Sequence, residues 1–400
     1  MKLQKVGVLT VIFLTFNSQA MEPVASKFLE EKIGQLIFAA SLCNPVKKKD
    51  CNKEFAAQQA YQLEKECIHS LIKNKKIGGV IFLGNLSYVK LRKTIEEYKK
   101  INPELFFGLD RQKSSLGVQF PNLDFPSAMM LAAISDATVI EKAANYTGKA
   151  LNLFGINIYL TPFENANNDP ENPFYMHSFG DDPAKVAQFT AAYNKGLSDA
   201  GILSCLSYST IDSSALPTAD LLVLPVNVVD GAIKKIITAV QDKKITEEEI
   251  NSKIDKVVTL KNEAKKNQKK MEIGAFLDML IDALRFKDEI YRCAITVAKD
   301  TLKNFKDEIV CDLIYRAKIE DYQRVQKLLQ KEYETNKING RKTIAVLYGS
   351  PYAIDYIAPY ADKIIVAYED TDVIKNAVSR VLCGFKSRGI LPIKTTMSGV

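Results

Sequence analysis

From residue 32 to about residue 230, short apolar runs alternate with amphipathic stretches. The runs are Ile33–Phe38, Ile77–Leu83, Leu105–Leu109, Ile156–Leu160, Ile202–Leu206 and Leu221–Leu224. Near-continuous apolar runs of this length suit strands buried on both faces. Between them, Tyr88 to Lys100 and Ser135 to Phe154 read as helices. This alternation predicts a parallel α/β domain, with a barrel among the options. Residues 231–305 read as predominantly helical. There Thr246-Glu247-Glu248-Glu249 forms a capping box, in which the threonine caps the helix and Glu249 returns the bond. A second alternating segment follows, with strands at Glu308–Asp312, Thr343–Leu347 and Lys363–Ala367 and a Lys-rich helix between the first two. It predicts a small open α/β sheet, with the boundary near residues 285–295.

Composition adds few constraints. With 400 residues, 47% hydrophobic and 25% charged, the chain is long enough for two cores at about 150 residues per domain. The N-terminus reads as an export signal: Lys2 and Lys5, then apolar Val6 to Phe16, then the small-x-small site Ser18-Gln19-Ala20. The apolar run is too short to span a bilayer of about 30 Å, and the alternative is a buried N-terminal element. Cleavage after residue 20 leaves a net charge of +5 from the +7 of the full chain. An exported protein, periplasmic or extracellular and without an integral membrane segment, is therefore expected. The Lys clusters at Lys47–Lys49 and Lys265–Lys270 carry no interleaved aromatics, so a nucleic-acid partner is not expected.

Seven cysteines without a CxxC pair give neither a disulfide framework nor a zinc site, and His69 beside Cys67 does not complete one. No metal or other cofactor is expected. Cys43 and Cys51 could close the loop containing Asn44-Pro45, and the odd count leaves a thiol unpaired in any monomer. Trp is absent, although Tyr and Phe could stack on sugar rings in its place.

Ordered blocks then carry a resemblance. Ile77-Gly78-Gly79-Val80-Ile81, Phe107-Gly108-Leu109-Asp110 and Leu123 to Met129 begin it. Phe154-Gly155-Ile156-Asn157, Thr161-Pro162, Asn167 to Pro173 and Ser178-Phe179-Gly180-Asp181-Asp182-Pro183 make it strongest. Ala219 to Pro225, Ile290 to Thr296, Gly349 to Tyr352, Ala367 to Asp370 and Gly389 to Ile393 extend it to the end of the chain. In these blocks the chain resembles the bacterial β-N-acetylhexosaminidase branch of glycoside hydrolase family 3. Beyond the export signal at 1–20, the resemblance implies a shortened barrel over 21–285 and a shortened C-terminal α/β domain over 286–400. It also implies a carbohydrate ligand of the N-acetylglucosamine type and O-glycosyl hydrolase ancestry.

Cleaving a glycosidic bond takes an acid for the leaving oxygen and a nucleophile or base across the anomeric carbon. In a β/α barrel such groups project from the C-terminal ends of different strands. Asp110 follows an apolar strand directly; the family's matching Asp holds sugar hydroxyls, and the alternative role is a cap on the next helix or turn. His177 stands where the family usually places a substrate Arg, and is either a sugar ligand or a loop residue. It is shorter than Arg and cannot make the guanidinium fork. The family's Lys-His positions hold Ser207 and Tyr208, and no histidine follows His177, so the family's loop His is missing. Asp212 begins a remnant of the family's Asp-Ser-His ending, with Ser214 in place of His, and is the candidate catalytic carboxylate. Only two residues separate Pro217 from Asp220, where two βα units are expected. The family's nucleophilic Asp lies in that missing stretch. Six strands in place of eight forbid ordinary closure and predict an incomplete barrel, open or repaired. The expectation is a family 3 homologue with degraded catalysis, or a non-catalytic glycan-binding or interaction protein. The oligomeric state is left open by the sequence.

Overall fold

The computed structural model describes residues 27–42, 51–83, 88–110, 125–160, 166, 169, 175–204, 208–209, 221–267, 272–302, 309–317 and 322–395. Its first sheet comprises β1 (Ile37–Leu42), β2 (Gly79–Leu83), β3 (Phe106–Asp110), β4 (Ile158–Leu160), β5 (Tyr208–Ser209) and β6 (Leu221–Pro225). The strand order is β4-β3-β2-β1-β6-β5, and every pair is parallel. Residues 27–34 form helix α1, so the first apolar run divides between a helix and a strand that begins at Ile37. The fifth run also differs: Ile202–Leu206 contributes one bridge at Leu203, and the strand proper is Tyr208–Ser209.

That fifth segment closes the sheet. Leu203 bridges Ile158 of β4 in parallel; its N–H donates to Asn157 O at 2.8 Å, and Tyr159 N–H donates to Leu203 O at 2.9 Å. A few residues later Tyr208 and Ser209 pair with Leu221 and Leu222 of β6, at the opposite edge. One short stretch of chain therefore joins both edges, and the incomplete barrel is repaired into a six-stranded ring. Closure matters because an unpaired edge would leave its N–H and C=O groups without partners.

A ring of six strands is narrower than one of eight, and two glycines make room inside it. A Cβ on Gly79 would lie 2.1 Å from the Phe38 ring, and one on Gly108 would lie 2.5 Å from Ile81 Cδ1. Around the ring pack α2 (Cys51–Lys73), α3 (Tyr88–Ile101), α4 (Ala128–Ala132), α5 (Ala137–Leu153), α6 (Pro183–Asp199), α7 (Val229–Gln241) and α8 (Glu247–Asn267). The capping box at the start of α8 is formed as its sequence dictates. Thr246 N–H donates to Glu249 Oε2 at 2.8 Å, and Glu249 N–H donates to Thr246 Oγ1 at 3.1 Å.

Helix α8 reaches the floor of the ring through a buried lysine. Lys261 Nζ donates to Gly78 O at 3.3 Å and lies 4.8 Å from the Phe106 ring centre and 5.7 Å from that of Phe38. Burial pushes this ammonium down to about 8, nearby Lys265 pushes the same way, and Glu104 opposes them.

Helix α9 (Ile273–Ala294) links this sheet to a second, made of β7 (Thr296–Asp300), β8 (Ile309–Ala317), β9 (Lys342–Gly349) and β10 (Lys363–Val366). Its order is β7-β10-β9-β8, with β8, β9 and β10 parallel and β7 antiparallel at the edge. The Lys-rich helix α10 (Tyr322–Ile338) lies between β8 and β9, and α11 (Ile354–Ile357) and α12 (Asp372–Leu382) complete the layer. Strand β7 falls inside the stretch expected to be helical. Each sheet has its own buried cluster, and α9 supplies residues to both: Met279, Ala283 and Ile290 to the first, Tyr291 and Ala294 to the second.

Candidate functional site at the barrel mouth

Parallel closure puts the C-terminal ends of β1 to β6 at one mouth of the ring, the face where β/α barrels carry their ligands. Asp110 is the last residue of β3 and pairs in register with Leu160, the last of β4. His177 ends a 3-10 turn, Tyr175–His177, and is half-buried. Asp212 lies outside the described residues, as do Ser207 and Ser214. The structure therefore sets Asp110 at the end of β3 and His177 in a separate turn, and leaves Asp212 undescribed. Cys43, which could pair with Cys51, also lies outside the described residues.

The turn that carries His177 is fixed by its own sequence and by the far end of the chain. Ser178 Oγ donates to Gly180 O at 2.9 Å and accepts from Gly180 N–H at 3.3 Å. Gly180 adopts φ +129°, and a Cβ there would meet Pro392 O at 2.2 Å. Only glycine suits both conditions. Asp181 N–H donates to Pro392 O at 3.4 Å, and Lys394 N–H donates to the Asp181 carboxylate at 2.6 Å. Asp182 then caps α6, accepting from Ala184 N–H at 2.9 Å with Pro183 in the first turn. Met176 and Leu391 both pack against the second core. The C-terminal segment is thus a strap that crosses from the second sheet and holds the His177 turn.

A second link joins the two sheets beside the mouth. Ser127 caps α4 through Met130 N–H at 3.4 Å, and its own N–H donates to Glu369 Oε1 at 2.6 Å. Met129, Met130 and Ala133 are buried in the second core, and Ile390 N–H donates to Ala133 O at 2.7 Å. Glu369 follows Tyr368, a non-glycine residue at φ +63°. Such a backbone costs about 1–3 kcal/mol and needs its surroundings to hold it. Tyr368 is held by burial and by a 2.9 Å hydrogen bond with Thr296 Oγ1, and burial raises its phenol pKa. The sequence offered no role for Glu369, Asp181 or Gly180. Their partners lie far along the chain, and the only local signal was the Asp-Asp-Pro cap.

These features define a class: a parallel β/α barrel with a ligand-type mouth, tied to a smaller α/β sheet. Residues 28–208 match the model of the glycosyl hydrolase family 3 N terminal domain. That part of the chain is similar to the N-terminal domain of glycoside hydrolase family 3. The chain is 33% identical over 84 residues to the β-hexosaminidase LpqI of Mycobacterium bovis and of Mycobacterium tuberculosis, an alignment that covers 21% of this chain and 22% of each relative. The chain thus aligns with about a fifth of the length of the curated relatives it matches. Among solved structures, a family 3 β-N-acetylglucosaminidase from Paenibacillus sp. str. FPU-7 superposes with a TM-score of 0.65 at 15% identity, covering 92% of this chain and 98% of that one. A β-glucosidase from Listeria innocua gives 0.62 at 12% identity, covering 94% and 76%. At such identities the likeness is one of fold. It covers both sheets.

Proposed function

We propose that this protein binds glycans of the β-linked N-acetylglucosamine type, such as exported polysaccharide or peptidoglycan fragments, at its barrel mouth without hydrolysing them. One observation carries the reading. Strand β5 ends at Ser209, β6 begins at Leu221, and the two strands are paired neighbours. Residues 210–220 alone connect them, far short of two βα units of about 30 residues each. The strand that carries the family's nucleophilic Asp has no room there. With no histidine after His177, the family's loop acid/base has no counterpart either.

In this reading Asp110 accepts hydrogen bonds from neighbouring sugar hydroxyls, and His177 takes the place of the family's substrate Arg. Asp212 is the carboxylate from which residual catalysis could come. Residues 1–20 direct export, 21–285 form the barrel unit and 286–400 the second unit. No described helix is long and apolar enough to cross a membrane. Support for the sugar class comes from the names of the relatives: a β-hexosaminidase and a β-N-acetylglucosaminidase.

Isothermal titration of the mature chain with N,N′-diacetylchitobiose tests this proposal. Binding is expected for the wild type, with a loss of about tenfold or more in Asp110→Asn and a smaller loss in His177→Ala; each tenfold corresponds to about 1.4 kcal/mol. Absence of binding by the folded wild type, or full binding by Asp110→Asn, counts against it.

A further inference from the structure

Helix α9 has two apolar faces. One is buried, through Met279, Ala283 and Ile290 in the first core and Tyr291 and Ala294 in the second. The other comprises Leu277, Leu280, Ile281 and Leu284, at helical spacings of i, i+3, i+4 and i+7. Leu277 is 53% exposed and Ile281 48%. Leu280 and Leu284 are half-buried, and among the described residues they belong to neither core. A helix on a protein surface ordinarily turns a polar face outward. A contiguous apolar stripe in that position marks an interaction site.

The charges beside the stripe select the partner. Asp278 and Arg285 lie on the same flank, two turns apart, and both are exposed. Among the described residues neither has an ion-pair partner, whereas Arg292 further along pairs with Asp288 of its own helix at 3.0 Å. When two copies of one helix pack antiparallel about a two-fold axis, each flank meets the equivalent flank of the other copy. Asp278 of one copy then comes opposite Arg285 of the second, and the reverse pair forms at the same time. A parallel arrangement sets like charges at equal height. The acidic residues near the stripe, Asp278, Asp282 and Asp288, also oppose contact with an anionic membrane surface.

We propose that α9 is a self-association surface, on which a second copy of this chain docks its Leu277–Leu284 stripe antiparallel, with reciprocal Asp278–Arg285 ion pairs. The arrangement is isologous and closes at two copies. It leaves the barrel mouth outside the interface residues and does not depend on which ligand the mouth takes.

Sedimentation velocity of the mature chain, over a wide concentration range at low and high salt, tests the proposal. A monomer–dimer equilibrium that weakens with salt is expected, and the double variant Leu277→Glu/Ile281→Glu should be monomeric throughout. Asp278→Arg and Arg285→Asp should each weaken dimerisation about tenfold, which is about 1.4 kcal/mol. Combining the two reversals should restore it, because the reciprocal pairs re-form with exchanged signs. Both charge positions are exposed, so these variants keep their fold, and circular dichroism checks each one. A wild type that stays monomeric overturns the proposal. So does a dimer indifferent to the double Glu variant, or a combined charge reversal that fails to restore association.

Discussion

The backbone N–H of Ser127 donates to the carboxylate of Glu369 at 2.6 Å, across 242 residues of sequence. This bond fastens the start of α4 to the second sheet, at the end of the chain segment that leaves Asp110. Glu369→Ala removes a charge-assisted acceptor from a half-buried N–H and should cost about 1–2 kcal/mol in urea unfolding. Glu369→Gln retains a carbonyl acceptor and should recover most of that loss. Equal losses in both variants would argue that the charge, and not the hydrogen bond, is what matters.

The Gly180–Pro392 contact makes a sharper prediction. Gly180→Ala must place a Cβ in a backbone region that L residues rarely adopt, 2.2 Å from Pro392 O. A loss of about 2–3 kcal/mol is expected. Because the chain has two histidines, His69 and His177, the displacement can be read directly. The imidazole NMR signals of His177 should shift in Gly180→Ala, and more weakly in Asp181→Ala. Those of His69, which sits 3.2 Å from Glu97 on the flank of α2, should not.

Lys261 gives the chain a pH dependence of a particular sign. Below about pH 8 its amine is charged in both the folded and the unfolded chain, so the folded state bears the full cost of burial. Between about 8 and the ordinary lysine value of 10.5 the unfolded chain holds the proton more readily than the folded one. This residue therefore makes stability rise with pH through that window. The rings of Phe106 and Phe38 return part of the cost through cation–π attraction. Lys261→Met should stabilise the protein at pH 7 by about 1–3 kcal/mol and remove its share of the rise between pH 8 and 10.5. Gly78 O keeps its bond from Phe106 N–H, at 3.3 Å, when the amine is lost. Destabilisation at pH 7 would mean that the Lys261 contacts outweigh its desolvation.

Much of the barrel was legible because buried parallel strands announce themselves as apolar runs, and the runs at Ile77, Leu105, Ile156 and Leu221 became β2, β3, β4 and β6. The run at Ile33 misled because Ile33 and Leu36 are as deeply buried as the strand they precede, yet belong to the end of α1 and the turn after it. Strand β7, Thr296-Val297-Ala298-Lys299-Asp300, is not legible in the sequence because an antiparallel edge strand needs no apolar continuity. The repair of the ring was not readable, since nothing local tells Leu203 and Tyr208 that they will pair with opposite edges. At the site, Asp110 could be placed from its strand. The grip on His177 could not, because Pro392 and Lys394 come from the other end of the chain.

Ring closure itself can be measured by hydrogen exchange. The amides of Leu203 and Tyr159 donate to Asn157 O and Leu203 O, and should be protected to the same degree as those of β3. Exchange of Leu203 at the rate of an exposed loop would mean that β4 is an open edge.

We propose that the shortened connection from β5 to β6 has left a glycan-binding barrel without glycosidase chemistry. Incubating the mature chain and its Asp212→Asn variant with 4-nitrophenyl N-acetyl-β-D-glucosaminide tests it most directly. The account predicts no release of nitrophenol above the enzyme-free blank from either protein. Release by the wild type that Asp212→Asn abolishes would contradict it.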